Sequence, residues 1–267
     1  MLYSHFQCAQ PGQPVAVFLH GLLGSSDDWQ TSLNQLATTN TLTIDLPGHG
    51  QSQAVACEGF DHCCQLIQQA VLQHVSPQTP VALVGYSLGA RLVMYGVAFE
   101  RFSRLNLQLL LLEGGNFGLK TDQQREERWR NDKAWAERFE GEPIEQVLND
   151  WYQQPVFSSL NHEQRQILVA KRSANLGVCI ANMLCCTSLA KQPNLLTQLQ
   201  SISIAAHYIC GIKDKKFSAM AEQSGLSYSQ VANAGHNVHQ EQPRAFAHLI
   251  FQHLQAISSS SLNQTRE

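Results

Sequence analysis

Residues 85–89 (Gly-Tyr-Ser-Leu-Gly) constrain the fold of this chain more than any other segment. They follow the apolar run 81–84, which has the composition of a buried strand. A G-x-S-x-G pattern after a strand predicts a sharp turn into a helix, so tightly packed that only glycine fits at both flanking positions. Ser87 would then project from the sheet edge, where a nucleophile or base can act. Taken alone, the pattern fits an incidental serine at a glycine-rich strand end equally well.

Two loops earlier in the chain follow strand-like runs. Residues 19–24 (Leu-His-Gly-Leu-Leu-Gly) come after the run 15–19 and offer unhindered backbone N–H groups. In α/β-hydrolases such a loop supplies one donor of the oxyanion hole, and the residue after the nucleophile supplies the other. We therefore predict that the N–H groups of Leu22 and Leu88 form this pair, against the alternative of an ordinary turn. Residues 44–52 are interpreted as a structural turn without a catalytic role.

A general base is predicted near the C-terminus. His236, in Ala-Gly-His-Asn, follows the strand-like segment 228–231, and Asp214, in Gly-Ile-Lys-Asp, lies upstream. The chain order Ser87, Asp214, His236 is typical of α/β-hydrolases. The acid would hold the imidazole in one tautomer and stabilise its cation. Glu113 is the alternative acid, because it ends a buried-looking strand whose tip would lie nearby.

Strand-like runs alternate with stretches of helical length along the chain, and this rhythm predicts a mostly parallel sheet flanked by helices. The runs lie at 15–19, 41–46, 81–86, 107–112, 205–210 and 228–231. The alternating opening 2–8 is predicted as an antiparallel edge strand. We interpret the whole as the α/β-hydrolase fold, with residues 1–115 and 201–257 as its core.

The alternation stops between residues 116 and 200. Four candidate helices lie in this block, at 123–139, 143–152, 163–174 and 179–189. An insertion at this point predicts a helical cap over Ser87, with substrate held between cap and core. Residues 258–267 are polar and of low complexity, and we predict a disordered tail there.

Composition excludes several classes of protein. A formal net charge of −3 argues against a nucleic-acid-binding surface or a polybasic membrane anchor, while 43% apolar content suffices for a large core. No segment has the ~18 apolar residues of a membrane span, and none resembles a signal peptide, so we expect a cytoplasmic protein. The eight scattered cysteines lack the spacing of a zinc site.

Several segments together resemble one enzyme family. They are residues 84–91, 113–115, 150–157 and 171–173, which include the cap as well as the elbow. The chain is similar, from about residue 15 to residue 250, to the 2-succinyl-6-hydroxy-2,4-cyclohexadiene-1-carboxylate synthases of menaquinone biosynthesis. The resemblance implies a lyase that removes a proton from an enolpyruvyl-cyclohexene dicarboxylate and expels pyruvate. It implies no metal, no organic cofactor and a small polycarboxylate as the partner molecule.

The resemblance also implies cations for the substrate carboxylates, because a guanidinium makes paired hydrogen bonds to a carboxylate. It assigns Arg91, Arg125 and Arg172. The position of Arg91, one turn into the helix after Ser87, independently predicts a place near the pocket floor. For Arg125 and Arg172 a solvated helix face is the alternative. Aromatic side chains are predicted to contact substrate or simply to pack in the core: Tyr86, Trp151 and Phe157.

Two other functions use the same residues or the same fold. A serine hydrolase acting on esters, thioesters or carbon–carbon bonds would acylate Ser87 and consume water. A ligand receptor could retain the fold without catalysis. The arginines favour a polyanionic substrate over a neutral ester, and the three catalytic residue types argue against a receptor. The sequence leaves the oligomeric state open and is compatible with a monomer.

Overall fold

A single seven-stranded sheet organises the structure, a computed structural model that describes residues 1–264 of the chain. The strands are β1 (Ser4–Gln7), β2 (Val15–Leu19), β3 (Asn40–Ile44), β4 (Pro80–Tyr86), β5 (Asn106–Glu113), β6 (Ala205–Gly211) and β7 (Ser227–Val231). Their order in the sheet is β1-β3-β2-β4-β5-β6-β7. Only β1 is antiparallel to its neighbour. The predicted fold class and the predicted antiparallel edge strand are confirmed.

Strand β4 lies at the centre of the sheet, and its side chains contribute to the apolar cores on both faces. Val81 and Leu83 point into one apolar core, while Ala82, Val84 and Tyr86 point into the other. A strand buried on both faces needs a continuous apolar sequence, which residues 81–84 provide. Because β2, β4 and β5 run parallel, their carboxyl ends meet at one edge of the sheet, next to Ser87.

Eleven α-helices surround the sheet in residues 1–264. Those outside the insertion are α1 (Gln30–Leu33), α2 (Phe60–Leu72), α3 (Leu88–Ala98), α9 (Lys215–Gln223), α10 (Val238–Glu241) and α11 (Pro243–Gln264). Those between β5 and β6 are α4 (Asp122–Gly141), α5 (Ile144–Trp151), α6 (His162–Arg172), α7 (Gly177–Cys186) and α8 (Leu196–Ser201). The four helices predicted in this block are confirmed.

The helices of the insertion share their own apolar core. Phe139, Val147, Leu168 and Ile180, from α4 to α7, pack together and onto Leu23 of the loop after β2. Capping boxes begin α4 and α6 and fix where those helices start. The insertion therefore packs on the core beside the carboxyl edge of the sheet.

The chain ends in helix α11, which continues to Gln264 and so enters the segment predicted as a disordered tail. The remainder of that prediction, residues 265–267, lies outside the described residues. No single helix among residues 1–264 has the length and apolar composition of a membrane span; α6 and α7 pass that test only as a pair bent by 101°.

Candidate active site

The turn predicted at Ser87 is present. Ser87 has φ 50° and ψ −103°, a conformation that costs energy for a residue with a side chain, and α3 begins at the next residue. A Cβ added at Gly85 would lie 2.5 Å from the backbone N of Ala90, and one at Gly89 would collide with the carbonyl of Leu19. Both flanking positions thus require glycine, and the turn presents Ser87 at the sheet edge.

His236 is held by Asp214. The distance from His236 Nδ1 to Asp214 Oδ2 is 2.8 Å, and both side chains are buried. The other carboxylate oxygen, Oδ1, accepts a hydrogen bond from the N–H of Phe217 at 3.2 Å. A carboxylate at Nδ1 places the ring proton there and leaves Nε2 free to accept one.

Glu113, the alternative acid, does not contact His236. Its carboxylate accepts from His239 instead, with both oxygens 2.9 Å from the ring Nδ1. Of the two acids, Asp214 is therefore the one placed against His236, and its catalytic role stays a prediction.

The predicted oxyanion donors come from two segments: Leu88 follows Ser87 in the chain, and Leu22 lines the same cavity as Ser87. The N–H groups of Leu22 and Leu88 donate to no other group within residues 1–264, and Leu88 opens helix α3. Unpaired N–H groups at a helix N-terminus and in a loop are suited to bind developing negative charge. Their role stays a prediction.

Two buried histidines brace the loop that carries Leu22. His20 donates from Nδ1 to Gly21 O (2.7 Å) and accepts at Nε2 from the N–H of Leu46 (2.9 Å). His49 donates to Pro47 O (2.8 Å) and accepts from Leu23 N–H (3.0 Å). Burial lowers the pKa of both rings, that of His49 to about 3, so both are neutral. Residues 44–52, predicted as a structural turn, therefore help to shape the neighbouring loop.

A cavity of about 510 Å³ lies between the core and the insertion. It is lined by all three predicted catalytic residues and by four of the other predicted site residues, namely Leu22, Tyr86, Trp151 and Phe157. No hydrogen bond joins Ser87 Oγ to His236 Nε2 in the described part of the chain, although both face this cavity. Such bonds commonly form only with substrate bound.

The three predicted arginines do not line this cavity. Arg91 donates to Gln192 Oε1 (2.7 Å) and Thr187 O (2.6 Å), and Arg125 donates to Gln192 O (3.2 Å). Arg172 forms a buried ion pair with Asp28, at 2.6 Å to both carboxylate oxygens. Arg91 and Arg172 thus join the insertion to the core, whereas the bond of Arg125 lies within the insertion. Of the three, Arg172 pairs with a buried carboxylate, which a buried charge requires. Arg91 therefore does not lie on the floor of this cavity, and Arg172 does not lie on a solvated helix face.

Other cations do line the cavity: Arg128, Lys213, Lys215 and Lys216. Arg128 lies one turn beyond Arg125 on α4 and is held by Asp132, with 2.8 Å between Arg128 Nε and Asp132 Oδ1. Burial and the nearby Arg128 charge lower the pKa of Lys216. The sequence signal for these residues was present in the three lysines that flank Asp214 and in the helical spacing of 125 and 128. These four cations were nevertheless not among the predicted site residues.

Comparisons with known proteins agree with this geometry. Residues 16–249 match the model of the alpha/beta hydrolase family. The chain is 44% identical over 241 residues to the 2-succinyl-6-hydroxy-2,4-cyclohexadiene-1-carboxylate synthase of Yersinia enterocolitica, covering 90% of this chain and 86% of the relative. Its counterpart in Escherichia coli is 42% identical over 243 residues, which cover 91% of this chain and 94% of the relative. The chain belongs to this synthase family of α/β-hydrolases.

A solved structure extends the synthase-family likeness to three dimensions. MenH from S. aureus superposes with a TM-score of 0.87 and 26% sequence identity, and the match covers 96% of this chain and 99% of that one. The covered length includes the insertion as well as the sheet. In this synthase-family chain no group of three or more His, Cys, Asp or Glu side chains among residues 1–264 is arranged to hold a metal ion.

Proposed function

We propose that this protein is a pyruvate-eliminating lyase of menaquinone biosynthesis. It converts 2-succinyl-5-enolpyruvyl-6-hydroxy-3-cyclohexene-1-carboxylate to 2-succinyl-6-hydroxy-2,4-cyclohexadiene-1-carboxylate and pyruvate. The observation that carries the proposal is the cavity in which Ser87, Asp214 and His236 meet, in a chain that is 44% identical to a synthase of this name.

The first step is a proton transfer. His236, oriented by Asp214, takes the proton of Ser87, and the serine oxygen removes a proton from a carbon of the substrate. Serine alone is too weak an acid to provide this base near neutral pH, so the imidazole is required. The electrons of the broken C–H bond move into the ring system and expel the enolpyruvyl oxygen. The leaving group regains a proton at carbon as pyruvate, and no water is consumed.

Negative charge develops on the succinyl carbonyl oxygen during this transfer. The N–H groups of Leu22 and Leu88, which have no acceptor within the described chain, stabilise that charge. Each such donor is worth ~3 kcal/mol in comparable sites.

The substrate carboxylates bind the cations of the cavity wall. Arg128 comes from the insertion, whereas Lys213, Lys215 and Lys216 follow strand β6 of the core. A substrate carboxylate between Arg128 and Lys216 offsets the repulsion by which the Arg128 charge lowers the pKa of Lys216. Arg91 and Arg172 support the cavity by fastening the insertion to the core, and Arg125 bonds within the insertion. Trp151 and Phe157 form the apolar wall of the cavity.

The test is a pyruvate assay with the enolpyruvyl substrate. The purified protein is expected to release pyruvate in proportion to substrate consumed, without acyl-enzyme accumulating on Ser87. A serine hydrolase would instead acylate Ser87 and cleave ester or thioester probes faster than it releases pyruvate. A receptor would bind the substrate and leave it unchanged. Either result would contradict the proposal.

A further inference from the structure

Glu113 connects the residue that carries the nucleophile with the loop that carries the base. Its backbone carbonyl accepts the N–H of Ser87 at 2.8 Å. Its carboxylate accepts from His239, at 3.1 Å from the backbone N and 2.9 Å from the ring Nδ1. His239 lies three residues after His236, within helix α10. One residue therefore contacts both the backbone of the residue that carries the proposed nucleophile and the segment that follows His236.

The Glu113–His239 pair is deeply buried. Glu113 is 0% and His239 is 1% exposed, so the pair does not face the solvent. The second ring nitrogen, Nε2, has no hydrogen-bond partner within residues 1–264. Glu113 is therefore the hydrogen-bond partner that orients this ring, which otherwise packs against aromatic side chains such as Trp29, at 4.5 Å between ring centroids. A buried carboxylate needs such donors, and a buried N–H needs such an acceptor.

His239 in turn packs on Tyr86, the residue before the nucleophile. The two ring centroids are 4.6 Å apart, and the Tyr86 ring lies 5.4 Å from that of His236. The Tyr86 hydroxyl donates to Asn237 Oδ1. A Cβ at Gly21 would meet this ring at 2.7 Å, so Tyr86 also supports the loop of Leu22. Tyr86 thus contacts the loops of the nucleophile, the base and the oxyanion donors.

We propose that Glu113 is a positioning residue. Its carboxylate holds His239 and thereby fixes the distance between His236 and Ser87. The proposal rests on the proposed function, since it concerns the same proton transfer. Without the carboxylate, the N–H groups of residue 239 lose their acceptor and the segment 236–239 can shift. A shift of ~1 Å in a reacting group lowers a rate ~100-fold. Substrate binding, which uses other residues, is unaffected.

The experiment compares Glu113→Ala, Glu113→Gln and His239→Leu. We expect Glu113→Ala and His239→Leu to lower kcat for pyruvate release about 100-fold while KM changes less than about threefold. Glu113→Gln keeps an oxygen acceptor of the same shape and is expected to retain activity within about tenfold of the parent. His207→Ala is the matched control, because His207 is also a buried histidine, bonded to Ser227 and Ser229 far from the cavity.

A second measurement separates this inference from the proposed function. Phosphonylation of Ser87 by diisopropyl fluorophosphate depends on His236 but not on the lyase substrate. If the parent protein is phosphonylated yet releases no pyruvate, the proposed function fails and the positioning role is judged from phosphonylation alone. Parental rates in Glu113→Ala or His239→Leu overturn the positioning role. The positioning role is also overturned if Glu113→Ala or His239→Leu loses no more activity than His207→Ala does at the same loss of thermal stability. If Glu113→Ala does not fold, His239→Leu decides by the same criteria.

Discussion

The carboxyl edge of the sheet and the helical insertion both line the cavity, but they hold their functional groups by different means. At the sheet edge the backbone holds the proposed nucleophile: Ser87 has a positive φ between two obligatory glycines. In the insertion, partner side chains hold the charged groups in place: Asp28 holds Arg172, and Asp132 holds Arg128.

This difference separates two kinds of predictability. A group fixed by local backbone geometry is encoded within about five residues and carries a motif. A cation fixed by another side chain depends on a partner that can lie 144 residues away, as Asp28 does from Arg172. Mutations should therefore affect catalysis at the sheet edge, whereas in the insertion they should affect either stability or substrate binding.

The largest effect is expected at the sheet edge. Ser87→Ala removes the proposed base and should lower kcat at least ~10⁴-fold, while the fold and its thermal stability persist. Pyruvate release and circular dichroism measure the two properties. Activity within tenfold of the parent would assign the base to another group.

In the insertion, Arg172→Ala should act on stability. It leaves the buried Asp28 carboxylate without its cation, and loss of one partner of a buried pair costs ~3–5 kcal/mol. Urea unfolding measures this cost. Arg130→Ala, at an exposed pair with Glu126, is the control and should cost less than ~1 kcal/mol. A stable Arg172→Ala variant with raised KM would instead place this guanidinium on the substrate.

Two arginines one turn apart on α4 allow substrate binding to be compared between a side chain that lines the cavity and one that does not. Arg128 lines the cavity and Arg125 does not, so Arg128→Met should raise KM about 10- to 100-fold, the equivalent of one lost charged hydrogen bond. Arg125→Met should stay within about twofold. Steady-state kinetics at constant ionic strength measures both values. Equal effects of the two substitutions would contradict this assignment.

The smallest effect concerns the loop braced by His49. Burial, with the nearby His20, lowers the pKa of His49 to about 3, against ~6.5 in the unfolded chain. Between these values the unfolded state binds the extra proton, so the contribution to stability is complete above pH 6.5 and is lost as pH falls toward 3. His49→Gln should reduce the slope of unfolding free energy against pH in this window by up to ~1.4 kcal/mol per unit. Parallel curves for the two proteins would show that His49 is not buried as a neutral ring.

Much of the fold followed from local pattern. The apolar runs predicted β2 to β7 within a few residues, and the loss of that alternation between residues 116 and 200 predicted the helices α4 to α7. Buried parallel strands and amphipathic helices impose their own periods on the sequence, so the pattern can be detected without knowing the contacts. The contact of Asp214 with His236 was also anticipated, because the fold uses a fixed chain order.

The cations of the cavity were not predictable in the same way. An arginine on a helix is equally compatible with solvent, with a buried partner and with a ligand. Arg91 is adjacent to the elbow in sequence, yet it binds Thr187 and Gln192 of the insertion. The partners of Glu113 were equally hidden, since nothing local indicates that its side chain holds His239 rather than His236.

The sequence by itself determined the sheet, the elbow at Ser87 and the two loops from which Asp214 and His236 come, because each depends on a local period or on spacing along the chain. Only the tertiary structure decided which cations face the cavity and which acid holds which histidine. Those choices depend on burial and on partners distant in sequence, since a buried charge must find its counter-charge wherever the folded chain supplies one.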